Sequence, residues 1–296
     1  MKKVLTIVLS LLLVLTLFGC GKSDAVKGAE SLINDIGEVT LDSKAVIEKA
    51  EAAVQALSEK ERSKVEGLDI LEQARTQYDA LVVVDMIANV GDVTLDSGDV
   101  IADIDNAYKN LSADSKSLVD NYSIFESAKA TYVSILAQKG EEILGRCRTE
   151  EDKVYGITYY YPNATPIYGN ERSYFSCYIG AYSGQSYTSN LFIECDYFGD
   201  SWVFWKKLVI VVDGVRYTKT VNYGDISRQV AYGDVFEWFS DVASEEDMLI
   251  LKAIANSNEA IVRFEGDDKY YDLTVPQKDK NAIKDMLILY RYFSTK

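Results

Sequence analysis

Reactive chemistry in this 296-residue chain can come from three kinds of residue: four cysteines, the carboxylates, and the tyrosines and tryptophans. There is no histidine, which removes the usual general base at neutral pH and the commonest metal ligand. Ser-His-Asp, Cys-His and His-zinc chemistries are excluded with it. Acid–base work would fall to carboxylates, and Glu194, Asp196, Asp200, Asp225 and Glu237 are the residues that could supply a glycosidase pair. Acidic residues are so common along the chain that ordinary surface charge accounts for them equally well. The expectation is therefore a protein that is not an enzyme and carries neither cofactor nor metal. Asp92, Asp96, Asp99, Asp103 and Asp105 invite a calcium reading, but they lack the alternating ligands, central glycine and terminal glutamate of such a loop. They read as helix-cap and solvent-facing charge.

Cys177 and Cys195 are the sharpest pair. Alternation turns both inward on neighbouring strands, in a register that sets them opposite each other and within reach of a bridge. Two buried thiols serving as small apolar side chains would fit the same pattern. Cys147 stands between Arg146 and Arg148, which can lower a thiol pKa, yet it has no evident partner and reads as an incidental or interdomain thiol. The aromatics carry the binding signal. Tyr159, Tyr160, Tyr161, Tyr168, Tyr182, Tyr187, Trp202 and Trp205 fall near strand ends and turns, where exposed rings with polar tips suit stacking on sugars or gripping a peptide. The same residue types are also good strand formers on a half-buried pleated surface.

Two kinds of element must position these groups. Residues 37–43 read GEVTLDS and residues 91–97 read GDVTLDS. Laying 25–78 on 79–132 at that offset gives about 18 identities, so the N-terminal half is a duplication. Each copy reads as three helices. A glycine closes the first, Thr40 to Ser43 supply side-chain oxygens for the next N-terminus, and Val46, Ile47, Ala50, Ala53, Val54 and Leu57 form one apolar stripe. Ser58 with Glu61 makes a capping box, and Asp69 with Glu72 and Ser123 with Glu126 are expected to cap the long helices. With no breaker between Leu71 and Val90, the last helix of repeat 1 (25–78) runs into the first of repeat 2 (79–144), giving a rod with a shared helix.

Composition changes near residue 150: about 17 of the 21 tyrosines and all three tryptophans lie beyond it. A charged linker is expected at 145–152, then a tyrosine-rich domain at 153–296. Alternation marks Phe175 to Ala181 and Leu191 to Tyr197 as paired strands around a turn near Ser186. Asp213-Gly214 is a two-residue hairpin turn, and Ala260, Val262 and Phe264 face Tyr271, Leu273 and Val275 across another. Two helices follow, one capped by Ser244 with Asp247 and one starting near Pro276. The fold class is α+β and multidomain: tandem three-helix-bundle repeats followed by an antiparallel β-sheet or sandwich domain with two helices.

The N-terminus gives an address. Lys2 and Lys3 precede an apolar run from Val4 to Phe18, about 15 residues where roughly 20 span a bilayer, and Gly19-Cys20 closes it. These are the parts of a secretory signal at 1–19. Leu17-Phe18-Gly19-Cys20 resembles the bacterial lipobox, with Phe18 a less usual residue at its position. That resemblance implies a diacylglyceryl group on Cys20, whose two chains hold stably in a membrane, and a short tether at 20–24. The repeats, with their V-T-L-x-S and L-S signatures, resemble the three-helix surface repeats of Gram-positive cell-wall proteins, which imply extracellular display and no chemistry. The stretch AIVRFEGDDKYYDLTV at 260–275, with the helix after it, looks like C-terminal domains of unknown function in Firmicute lipoproteins. The net charge is −15, spread over both halves, which opposes nucleic acid as a partner. The resulting expectation is a lipoprotein on the outer face of the membrane, whose helical stalk displays a β-rich module for cell-wall glycan or a surface protein. A purely structural envelope protein and a carboxylate-based hydrolase are the alternatives.

Overall fold

The computed structural model describes residues 22–166, 172–182, 189–231 and 233–296. The signal segment and Cys20 lie outside these residues, as do Tyr168, Tyr187 and the turn near Ser186. The described chain divides into two units, one of residues up to 91 with 99–126 and the other of 92–98 with 127–296.

The first unit is built from repeat 1 and the part of repeat 2 up to Glu126, apart from 92–98. Repeat 1 contains α1 (Asp24–Asn34), α2 (Lys44–Gln55), the single turn α3 (Glu59–Arg62) and the start of α4 (Leu68–Ala88). The α4 helix runs unbroken into repeat 2, which continues with α5 (Gly98–Asn110), α6 (Ala113–Ser117) and α7 (Tyr122–Leu144). Several duplicated positions are core positions: Ile33 and Ile87, Ile47 and Ile101, Val65 and Val119 are all buried, whereas Ile70 and Ile124 are both exposed. Burial of one apolar stripe per helix supplies most of the stability of such short helices. The turns follow their sequences. Gly37 and Gly91 take φ of 61° and 63°, and the Thr40/Ser43 and Ser58/Glu61 pairs cap reciprocally. The caps of the long helices differ from expectation. Gly67, at φ 81°, is the N-cap of α4 and Asp69 lies inside its first turn. Ser123 likewise lies inside α7.

The second unit contains two antiparallel sheets. Among the described residues after α7 it has ten strands and two helices: β1 (Arg148–Asp152), β2 (Ile157–Tyr161), β3 (Tyr174–Tyr182), β4 (Ser189–Gly199), β5 (Lys207–Val212), β6 (Val215–Thr220), β7 (Ser227–Ala231), β8 (Asp234–Val242), α8 (Glu245–Ala255), β9 (Ala260–Glu265), β10 (Tyr270–Thr274) and α9 (Gln277–Phe293). The six-stranded sheet runs β1-β2-β3-β4-β8-β7 and the four-stranded sheet β10-β9-β5-β6. Asp213 and Gly214 both take positive φ, 45° and 86°, which gives the hairpin twist that two-residue loops favour. The expected 145–152 linker is corrected, because Arg148–Asp152 is an edge strand paired to β2. The β3–β4 register is also corrected. Cys177 faces Ile193 and Cys195 faces Phe175, a shift of two residues that leaves both thiols on the expected face but diagonal. Both are free and buried, so they act as small apolar side chains and no bridge joins them.

Residues 92–98 and the part of repeat 2 beyond Glu126 belong to this unit and are modified to fit it. At the offset of the duplication, Gly98 stands where repeat 1 has Lys44, and Gly140 falls on Met86 of the shared helix α4. A β-carbon on Gly98 would overlap the Arg291 guanidinium and the Tyr132 hydroxyl, and one on Gly140 would overlap the Tyr292 ring. Both glycines therefore make room for α9. Arg291 hydrogen-bonds the Tyr132 hydroxyl at 3.2 Å, and Tyr292 donates to Glu141. Lys284 of α9 pairs with Asp96 of the second GDVTLDS segment at 3.8 Å. The α9 helix also lies on β3 and β4, burying Ile283, Met286, Leu289 and Phe293.

Candidate functional site

The two faces of the six-stranded sheet differ in kind. One carries Phe175, Cys177, Ile179, Leu191, Ile193 and Cys195, all buried. The other carries an aromatic strip. Tyr161, Tyr178 and Phe192 lie side by side on β2, β3 and β4, with ring centroids 4.8 Å apart for the first pair and 4.9 Å for the second, which is stacked at 3°. Tyr159 meets Tyr178 and Phe192 edge-on at 6.0 and 6.3 Å. The arrangement depends on Gly180, which lies between these rings and would press a β-carbon to 3.0 Å from Phe192 and 3.1 Å from Tyr159. All four rings are half-buried. Arg148 of β1 sits 4.7 Å from the Tyr161 centroid, and the Tyr178 hydroxyl shares a 2.9 Å hydrogen bond with Ser240.

Glu194 and Asp196 extend this face along β4, two residues apart and therefore on the same side. Burial pushes the Glu194 carboxyl up to about 7, against a hydrogen bond from Tyr174 and the charge of Arg148. Burial, then the neighbouring Glu194, pushes Asp196 up to about 8. Asp196 is 3% exposed, and its Oδ1 has no hydrogen-bond partner. The pair can hold and release a proton near neutrality, as a general acid must. Among the described residues no three Asp, Glu or Cys side chains group as a metal site.

The predicted aromatics separate. Tyr159 and Tyr161 join the strip. Tyr160 points to the opposite face, 5.2 Å from Phe293. Tyr182 is exposed at the end of β3. Trp202 stacks on Phe204 at 5.4 Å. Trp205 is corrected to a core residue, since it is wholly buried and its indole N–H donates to the Glu237 carbonyl at 3.3 Å. Of the predicted carboxylates, Asp200 and Asp225 are exposed, and Glu237 is buried among backbone amides. At Cys147 burial and the Asp285 charge push the thiol up to about 11 despite Arg146, so the lowering that flanking arginines can give does not occur.

Comparison with protein-family models, with curated proteins and with solved structures gave no match to the chain. Among the described residues no helix is long and apolar enough to cross a membrane. Tyr178, Phe192 and Gly180 were missed from sequence, although the alternation that turns residues 177, 179, 191 and 193 inward turns 178, 192 and 194 outward.

Proposed function

We propose that this chain is a lipid-anchored protein of the outer membrane face, in which the helical repeats space a glycan-binding β unit from the lipid on Cys20. The observation that carries the binding reading is the strip of Tyr159, Tyr161, Tyr178 and Phe192, gathered over Gly180 on one half-exposed sheet face. Flat rings edged by hydroxyls and carboxylates suit the C–H faces and hydroxyls of a sugar. The net charge of −15 favours neutral over anionic chains. The test is a glycan array probed with the detergent-solubilised chain and its Tyr178→Ala variant. The variant should lose about tenfold in affinity, equivalent to about 1.4 kcal/mol. Equal binding by both proteins, or capture of a surface protein instead of any glycan, would overturn the reading.

Glu194 and Asp196 favour a second reading, a carboxylate-based hydrolase acting on the same chain. New reducing ends that appear with the wild-type protein and vanish with Glu194→Gln would establish it. Intact oligosaccharide after prolonged incubation would exclude it.

A further inference from the structure

The loop from Ser201 to Lys206 holds a bulky residue where its β-carbon is disfavoured. Phe204 has φ of 51°, in the left-handed region that aromatic residues rarely enter. The fully buried Glu237 of β8 fixes this conformation. Its Oε1 accepts the Val203 and Phe204 backbone N–H groups, each at 2.8 Å, and its Oε2 accepts the Trp205 N–H at 3.2 Å and Arg228 Nε at 3.1 Å. Arg228 directs its other donors to the carbonyls of Tyr223, Ile226 and Trp205. From the other side Gly266 approaches so closely that a β-carbon there would overlap the Val203 carbonyl. The strain is not repaid by burying the ring, for Phe204 remains 47% exposed. Its ring lies against Trp202 at an interplanar angle of 18°. The Arg228 guanidinium is 5.9 Å from the Phe204 centroid and 3.9 Å from that of Tyr223, which is 57% exposed. Backbone strain that keeps an aromatic ring in water marks a surface shaped for a ligand.

We propose that Trp202 and Phe204, backed by Arg228 and Tyr223, form a second glycan site that seats one pyranose ring of a neutral sugar chain. The two rings are nearly parallel and adjacent, a platform of the kind on which a sugar's apolar face stacks. Four of the five N–H donors of Arg228 are used inside the protein and its charge is paired with Glu237, so the platform is poorly suited to an anionic group. A protein partner would need about 800 Å² from each side, far more than two partly exposed rings present. The site shares no residue with the aromatic strip of the sheet, so either can fail without the other.

The experiment uses the full chain in a detergent without sugar groups, a β-1,4-linked N-acetylglucosamine hexamer as probe, and tryptophan emission as readout, with Trp202→Phe identifying the Trp202 signal. Phe204→Gly is the deciding variant, because glycine accepts positive φ freely while removing the ring. Its melting temperature should equal or exceed that of the wild type, while affinity at this site falls at least tenfold. Tyr178→Ala should leave the Trp202 response intact. Two results would each overturn the proposal: a wild-type Trp202 emission unmoved by the hexamer, or an unaltered response in Phe204→Gly.

Discussion

Two carboxyl groups make the β unit sensitive to pH. Glu194 and Asp196 are pushed up to about 7 and about 8 by burial, while the same groups in an unfolded chain titrate near 4. Between those values the folded protein binds more protons than the unfolded one, so stability falls as pH rises. The contribution is complete below about pH 4 and is lost as pH climbs through the folded values. The groups facing them are Tyr174, Arg148 and Glu150 around Glu194, and Glu194 itself beside Asp196. The melting temperature of the β unit, followed by near-UV circular dichroism, should drop by on the order of 5 °C or more from pH 5 to pH 9. Asp196→Asn should flatten that slope and melt above the wild type at pH 8. A slope unchanged in Asp196→Asn would show that the carboxyl is solvated. Glu237 has the opposite role, since its carboxylate satisfies three backbone amides and Arg228. Glu237→Ala leaves those donors and a buried cation unpaired, and should cost about 3–5 kcal/mol in denaturant unfolding.

At the scale of elements, legibility followed the strength of local signals. The repeat was readable because its identities coincide with buried positions such as Ile33 and Ile87, and the β5–β6 hairpin because Asp213-Gly214 tolerates positive φ at both turn residues. The β3–β4 register was not readable. A shift of one residue would have exposed the core face, which alternation forbids, but a shift of two preserves every face and changes only the partners. That ambiguity brought Cys177 opposite Ile193 instead of Cys195. The β1 strand was hidden because Arg148–Asp152 contains no apolar residue to alternate. Trp202 and Trp205 are three residues apart, yet one is core and the other surface. The φ of Phe204 that separates them has no signature in an aromatic residue. The glycines of repeat 2 give the element-scale prediction. Gly140→Met introduces the side chain found one offset earlier, at Met86, and collides with Tyr292. It should loosen α9 at a cost of about 1–3 kcal/mol, seen as lost near-UV signal with far-UV helix content retained. An undisturbed near-UV spectrum would count against the fit of α9 over Gly140.

For the molecule as a whole, each unit has a core of its own, so calorimetric unfolding should show two transitions, of which only the one belonging to the β unit moves with pH between 5 and 9. A single transition would mean that the units unfold as one. Lipidation is tested at the same scale: Cys20→Ala should release the protein from the membrane fraction, and retention there would argue against the lipid anchor.

The glycines that admit α9 also set a timetable. A chain made from its N-terminus folds units as they become complete. The first unit has all its residues once Glu126 has emerged, and its core contacts are between near neighbours in sequence. The second cannot close at that point, because the partners of Tyr132, Gly140 and Glu141 are Arg291 and Tyr292. The latter half of α7 therefore waits, with an apolar face uncovered, through the making of about 150 further residues. Growth conditions that slow synthesis would lengthen that exposure for this half of the chain alone.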